Sequence, residues 1–300
     1  MIEGLLVPLV TPFDADGALD LAALERLAVE VLDAGADGLV ALATTAEASS
    51  LDARERDAVI AICADVALAR GVPLFVGAGT NDTRTTIARH EALGEVAGVT
   101  GSLAVVPYYV RPSEAAIVAH FEAVAARSPV PVVLYNIPYR TGRGLGSASL
   151  LALAAVDGVI GVKQAVGALD ADTLALLAGA PEGFAVLCGD DAFLLPMLLM
   201  GGAGAIAASA HLCTERFAAL LAAARSARVS EARSHAEALL PLVEALFAEP
   251  SPAVLKAVLC AHGRIATPDV RMPLAAASAD GVARALAASD GASLASLRGR

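Results

Sequence analysis

Short apolar runs alternate with longer amphipathic stretches eight times ahead of Ser209, and this alternation limits the fold more than any other feature of the chain. The runs cover 5–10, 38–44, 74–78, 103–107, 132–135, 159–163, 185–188 and 204–208. Most are continuously apolar and β-branched, as strands buried on both faces must be, and Ala- and Leu-rich helical stretches separate them. Asp20 or Leu19 opens the first helix and Gly35 closes it, Ser113 with Glu114 opens the fourth, and Asp170 opens the sixth. Eight such units predict an α/β fold, a TIM (β/α)8 barrel. An open doubly wound sheet, which would use about five or six strands, is the alternative.

After Ser209 the strand signal stops. Residues 213–225, 229–247, 251–262 and 279–288 read as helices, with Pro250 and Pro252 marking a break. The expected organisation is a barrel domain over 1–225 and a C-terminal helical extension over 226–300.

Composition narrows the function classes. With 57% hydrophobic but only 4% aromatic residues, the core has to be built from Ala, Val, Leu and Ile. A net charge of −11 excludes a nucleic-acid footprint, which requires clustered Lys and Arg. Cys63, Cys188, Cys213 and Cys260 have neither metal-ligand spacing nor disulfide-scaffold density, so reduced thiols in the cytoplasm are expected. No signal peptide or membrane span is read from the sequence.

The chain has only two lysines, Lys163 and Lys256, and takes its other cations from Arg. Lys163 follows Val159, Ile160 and Val162 at the end of the sixth predicted strand. Burial disfavours the ammonium form, so a lysine there can act as a neutral nucleophile; the alternative is a side chain that snorkels to solvent. In a barrel the chemistry sits at the C-terminal strand ends. Those ends deliver Thr44, Thr45 and Glu47 from the second strand, Tyr108 and Tyr109 from the fourth, Tyr135, Asn136 and then Arg140 from the fifth, and Asp190 and Asp191 from the seventh. A tyrosine beside a desolvated lysine can carry protons, and an arginine can clamp a carboxylate.

Thr44-Thr45-x-Glu47, Pro107-Tyr108-Tyr109-x-Arg111-Pro112-Ser113, Tyr135-Asn136-Ile137-Pro138-x-Arg140-Thr141-Gly142, Gly161-Val162-Lys163-Gln164, Gly189-Asp190-Asp191 and Glu249-Pro250-Ser251-Pro252 together resemble the dihydrodipicolinate synthase and N-acetylneuraminate lyase family. The resemblance implies a class I, Schiff-base aldolase in which Lys163 condenses with pyruvate. It further implies that Tyr135 shuttles protons through Thr45 and Tyr109, with Tyr109 supplied by a neighbouring subunit of a homo-oligomer, a dimer or tetramer. Thr44 and Thr45 would hold the pyruvate carboxylate with the backbone of Ile206 alongside, and Arg140 would bind the carboxylate of the incoming aldehyde. No metal or organic cofactor is expected, because the imine itself is the electron sink.

Some residues have plainer readings. Glu47 is expected to brace its loop, and Asp190 and Asp191 to cap the helix after the seventh strand. Asp14-Ala15-Asp16-Gly17 lacks the remaining ligands of a calcium loop and reads as a turn, and the Gly201-Gly202-Ala203-Gly204 stretch also reads as a turn. The histidines show no ligand spacing, and only His211 falls near a strand end.

The sequence departs from the family where Ala43 and Ala46 replace the usual glycines of Gly-Thr-Thr-Gly-Glu, which would strain the loop if either position needs φ > 0. Tyr139 stands where small polar residues are usual in the synthases. Lysine-inhibited relatives resemble one another in a second site whose Asn and Tyr match Asn81 and Tyr108 here, but whose charged or imidazole positions read Ala53, Arg56 and Thr85, implying weak or no inhibition by lysine. Three readings follow: a dihydrodipicolinate synthase-type enzyme joining pyruvate to aspartate semialdehyde in lysine biosynthesis; a relative acting on a sugar acid or another 2-keto acid; and a non-catalytic barrel.

Overall fold

The computed structural model describes residues 2–293. Eight parallel strands form one closed barrel in sequential order: β1 (Gly4–Pro8), β2 (Gly38–Ala41), β3 (Leu74–Gly77), β4 (Gly101–Val105), β5 (Val132–Asn136), β6 (Val159–Gln164), β7 (Ala185–Cys188) and β8 (Gly204–Ile206). The ring closes where β1 pairs with β8, Leu6 lying opposite Ile206. The fold is therefore the TIM barrel that the alternation predicts, and no doubly wound sheet forms.

The continuous apolar character of the strands reflects two cores. Leu6, Val40, Phe75, Leu103, Val133, Leu187 and Ile206 fill the barrel interior. Leu5, Val7, Leu39, Val76, Leu134 and Val162 point outward and are covered by helices. Each strand thus buries residues of both parities, and a charged side chain on one of them requires a specific reason.

Capping fixes where helices begin. Asp20, Asp82, Ser113 and Asp170 each accept a hydrogen bond from a first-turn backbone N–H, and Asp52 forms a reciprocal capping box with Glu55. Helix Thr214–Arg225 is followed by Val229–Phe247, Ala253–Ala261 and Ala279–Ala292, which pack on one another against the barrel. The third of these is shorter than the sequence suggests, because the chain turns at 248–252 and Pro252 stands just before the first helical residue. Among the described residues, no helix is long and apolar enough to cross a membrane.

Several strands stop earlier than their apolar runs. β2 ends at Ala41, because Leu42 takes φ 54° and turns the chain into a 3₁₀ turn at Thr44–Ala46. β8 ends at Ile206, ahead of another 3₁₀ turn at Ala208–His211.

Candidate active site

Lys163 lies opposite Tyr135 in the β5–β6 register, and its Nζ stands 4.5 Å from the centroid of the Tyr135 ring. Each residue is only 5% exposed. Lys163 forms no ion pair among the described residues. The stem of this lysine runs against the exit of β7: a Cβ at Gly189 would lie 2.8 Å from its Cγ and 2.9 Å from its Cε. Only glycine at 189 leaves that side chain its room.

The turn carrying Thr44 and Thr45 is built by close backbone approach. A Cβ at Gly77 would fall 2.0 Å from the Leu42 carbonyl oxygen, so the β2 exit can cross β3 only at a glycine. The Thr11 hydroxyl donates to the Ala46 carbonyl at 2.7 Å. Ala43 has φ −75° and ψ −175°, and neither it nor Ala46 takes a positive φ. The alanines that replace the family glycines are therefore compatible with the backbone, and the strained positions are Leu42 and Glu47 on either side.

Glu47 does brace the loop, and its partners come from the far end of the chain. Its carboxylate accepts from Lys256 Nζ at 2.9 Å and from the Arg271 backbone N–H at 2.7 Å. Lys256 Nζ sits 4.0 Å from the centroid of the Phe13 ring, and the Arg271 guanidinium 4.4 Å from it. Arg271 also forks onto Glu55, whose carboxyl it holds down at about 2. Sequence reasoning assigned Lys256 no role. The available signal was its rarity, as the second of two lysines, in an otherwise apolar helix.

A cavity of about 450 Å³ opens at the strand ends, and Thr44, Tyr135, Arg140, Arg56, Arg89 and Tyr108 are among its lining residues. Among the described residues, three arginines and no carboxylate line it. Burial, reinforced by the charge of Arg56, holds Arg89 below its ordinary pKa. A second groove of about 400 Å³ runs past Glu30, His211 and Arg264 and includes none of the predicted site residues. Thr45 is buried, and Ile206 packs in the same inner cluster as Tyr135. Tyr109 is set apart: at φ 70° the residue is 87% exposed and is not part of the cavity wall of its own chain.

Asp190 and Asp191 do not cap the following segment, contrary to expectation. That segment is a 3₁₀ turn, Asp191–Phe193, running directly into the helix Leu194–Leu199; neither has a side-chain cap, and the carboxylates find donors on neighbouring loops. Asp190 accepts from the Tyr139 hydroxyl at 3.1 Å through Oδ1 and from the Gly167 N–H at 2.7 Å through Oδ2. Asp191 accepts from the Ser209 N–H at 2.7 Å, and burial raises its pKa. His211 is structural: Nε2 accepts from the Val10 N–H at 3.1 Å, which leaves Nδ1–H to donate to the Ala208 carbonyl at 2.9 Å. Asp14 Oδ1 accepts from the N–H groups of Asp16 and Ala18, closing a turn.

Comparison with known proteins agrees with this architecture. The model of the dihydrodipicolinate synthetase family matches residues 1–288. The 4-hydroxy-tetrahydrodipicolinate synthase of Neisseria meningitidis serogroup C (strain 053442) is 39% identical over 289 residues, spanning 96% of this chain and 98% of that protein. Dihydrodipicolinate synthase from Thermotoga maritima superposes with a TM-score of 0.93 at 29% identity, covering 97% of this chain and 99% of that one. The chloride-inhibited dihydrodipicolinate synthase of Acinetobacter baumannii, solved in complex with pyruvate, gives a TM-score of 0.93 at 31% identity over 97% of this chain and 99% of that one. The chain belongs to the dihydrodipicolinate synthetase family.

Proposed function

We propose that this protein is a class I lyase that condenses pyruvate with aspartate semialdehyde through an imine on Lys163, that is, a 4-hydroxy-tetrahydrodipicolinate synthase of lysine biosynthesis. One observation carries the reading: a buried lysine with no ion pair among the described residues, in register with a buried tyrosine, at the strand ends of the barrel. In this scheme the Lys163 amine adds to the pyruvate ketone and water leaves, forming a C=N bond. The imine cation accepts the electron pair freed when a methyl proton departs. The enamine carbon then bonds to the aldehyde carbon, whose oxygen takes up a proton. Finally the amino group of the semialdehyde displaces Lys163 and closes the ring. The scheme calls for no metal or organic cofactor.

Tyr135 is the group beside Nζ that can pass these protons, relayed through Thr45 and a neighbour's Tyr109. Thr44 and Thr45 hold the pyruvate carboxylate beside the Ile206 backbone, and Arg140, which forms no ion pair among the described residues, receives the carboxylate of the aldehyde. Three arginines facing the cavity suit two anionic substrates. The exposed run Tyr108, Tyr109 and Val110 suits burial against a second copy, so that Tyr109 completes a neighbouring site in a homo-oligomer, a dimer or tetramer, and the free cysteines suit the cytoplasm.

The test is borohydride reduction in the presence of pyruvate, with mass spectrometry to locate the adduct. A single adduct on Lys163, followed by turnover of aspartate semialdehyde, is expected; an unmodified Lys163 would sink the reading.

A further inference from the structure

Asp190 is the polar group of the β7 exit closest in sequence to the backbone that touches Lys163, since Gly189 lies against the lysine stem. A free carboxylate there would accept hydrogen bonds from the hydroxyls of a polyhydroxylated aldehyde. In this chain both of its oxygens are already engaged. Tyr139 reaches Oδ1 from the helical turn Pro138–Thr141 after β5, and Gly167 reaches Oδ2 from the loop after β6, at φ 78°. Because β5, β6 and β7 are neighbours in that order, the Tyr139–Asp190 bond passes over the exit of β6, the strand that carries Lys163.

Desolvation of the phenol and the adjacent Asp190 charge hold the Tyr139 hydroxyl well above its ordinary pKa, so it stays a donor throughout the neutral range. The opposite side of the mouth, where Thr44 and Arg140 line the cavity, has no such bridge among its lining residues. The β5–β7 side is thus walled by a protein-to-protein bond, and the β2–β5 side is open and basic.

Resting on the imine chemistry proposed above, we infer that Tyr139 determines aldehyde specificity: by occupying Asp190 and bridging the β5 and β7 loops, it closes the mouth to long polyhydroxylated aldehydes and leaves room for a short one ending in a carboxylate. Asp190 already accepts from Tyr139 and Gly167, so a hydroxylated chain has to share or displace these donors and gains less from this carboxylate than from a free one.

The experiment compares wild type, Tyr139→Ser and Tyr139→Phe in two measurements. The first is the rate of pyruvate trapping by borohydride on Lys163. The second is kcat/KM for aspartate semialdehyde and for two longer hydroxylated aldehydes, mannose and N-acetylmannosamine. For Tyr139→Ser we expect trapping close to the wild-type rate and a rise of tenfold or more in the ratio of hydroxylated to semialdehyde turnover. Tyr139→Phe, which keeps the ring and removes only the hydroxyl, should shift the ratio in the same direction by about threefold, and it carries the test if the serine variant loses its fold. A ratio unchanged in both variants, with trapping intact, overturns the specificity role alone. Wild-type protein that gives no adduct overturns the imine reading and this inference with it.

Discussion

Lys256 Nζ lies 2.9 Å from Glu47 Oε1 with both side chains fully shielded from solvent, which joins the helix Ala253–Ala261 to the turn that holds Thr44 and Thr45. Among the described residues it is the only ion pair with both partners wholly buried. Removing one partner of such a pair strands the other charge in a low-dielectric site, at a cost of about 3–5 kcal/mol. Lys256→Met is therefore expected to lower the denaturation midpoint in urea markedly and to raise KM for pyruvate, whereas the double variant Lys256→Met with Glu47→Leu should recover much of the stability. Equilibrium unfolding of the three proteins checks this; a double variant no more stable than the single one would show that the pair does not act as a unit.

The roles at the strand ends separate kinetically. Lys163→Ala should remove the pyruvate adduct altogether, and Tyr135→Phe should retain slow adduct formation with turnover reduced by roughly a hundredfold or more, the scale of a lost proton carrier. Mixed oligomers test the role of Tyr109. Lys163→Ala and Tyr109→Phe subunits, each inactive or weak alone, should regain turnover when dissociated and reassembled together. No gain on mixing would return Tyr109 to its own chain or to the surface.

Lysine is expected to bind weakly or not at all beside Arg56. Among the described residues, the cavity that contains Arg56, Arg89 and Tyr108 offers no carboxylate to an ammonium ion, and its two neighbouring guanidinium groups repel one. Calorimetric titration with lysine should give no saturable heat in the micromolar range. A micromolar site would contradict this.

Acid should destabilise the protein before its exposed carboxylates titrate. Burial holds His211 at about 4, against an ordinary 6.5, while its Nε2 accepts from the Val10 N–H. A histidine depressed in the folded state binds its proton more readily when unfolded. Its contribution is therefore complete above pH 6.5 and is lost as the pH falls from there towards 4, by at most about 3 kcal/mol. Unfolding free energies measured between pH 7 and 4.5 should fall with pH, and His211→Gln should flatten the slope. An equal slope in the variant would assign the loss to other groups.

Features that depend on strand order were legible in the sequence; features that depend on distant partners were not. Lys163 and Tyr135 could be paired because consecutive strands of a barrel are neighbours and the motifs mark where each strand ends. Strand limits were overread where apolar character continues through a turn, as at Leu42, whose φ of 54° ends β2 inside a hydrophobic run. Asp190 and Asp191 were misread for a different reason. Capping is a local rule, but the donors that reach them lie 51, 23 and 18 residues away in sequence. Lys256 is 209 residues from Glu47, and no periodicity connects them.

The order in which the chain is made gives the Glu47 contacts a further meaning. Glu47 leaves the ribosome 209 residues ahead of Lys256 and 224 ahead of Arg271, the residues whose Nζ and backbone N–H hold it. A product that stops after the helix Thr214–Arg225 would possess all eight strands and Lys163, yet would leave the Glu47 carboxylate without either partner. The turn that carries Thr44 and Thr45 would lack these braces, so incomplete translation products would carry Lys163 beside an unheld turn. If Thr44 and Thr45 seat the pyruvate carboxylate as proposed, competence to bind pyruvate doubles as a record that synthesis ran past residue 271.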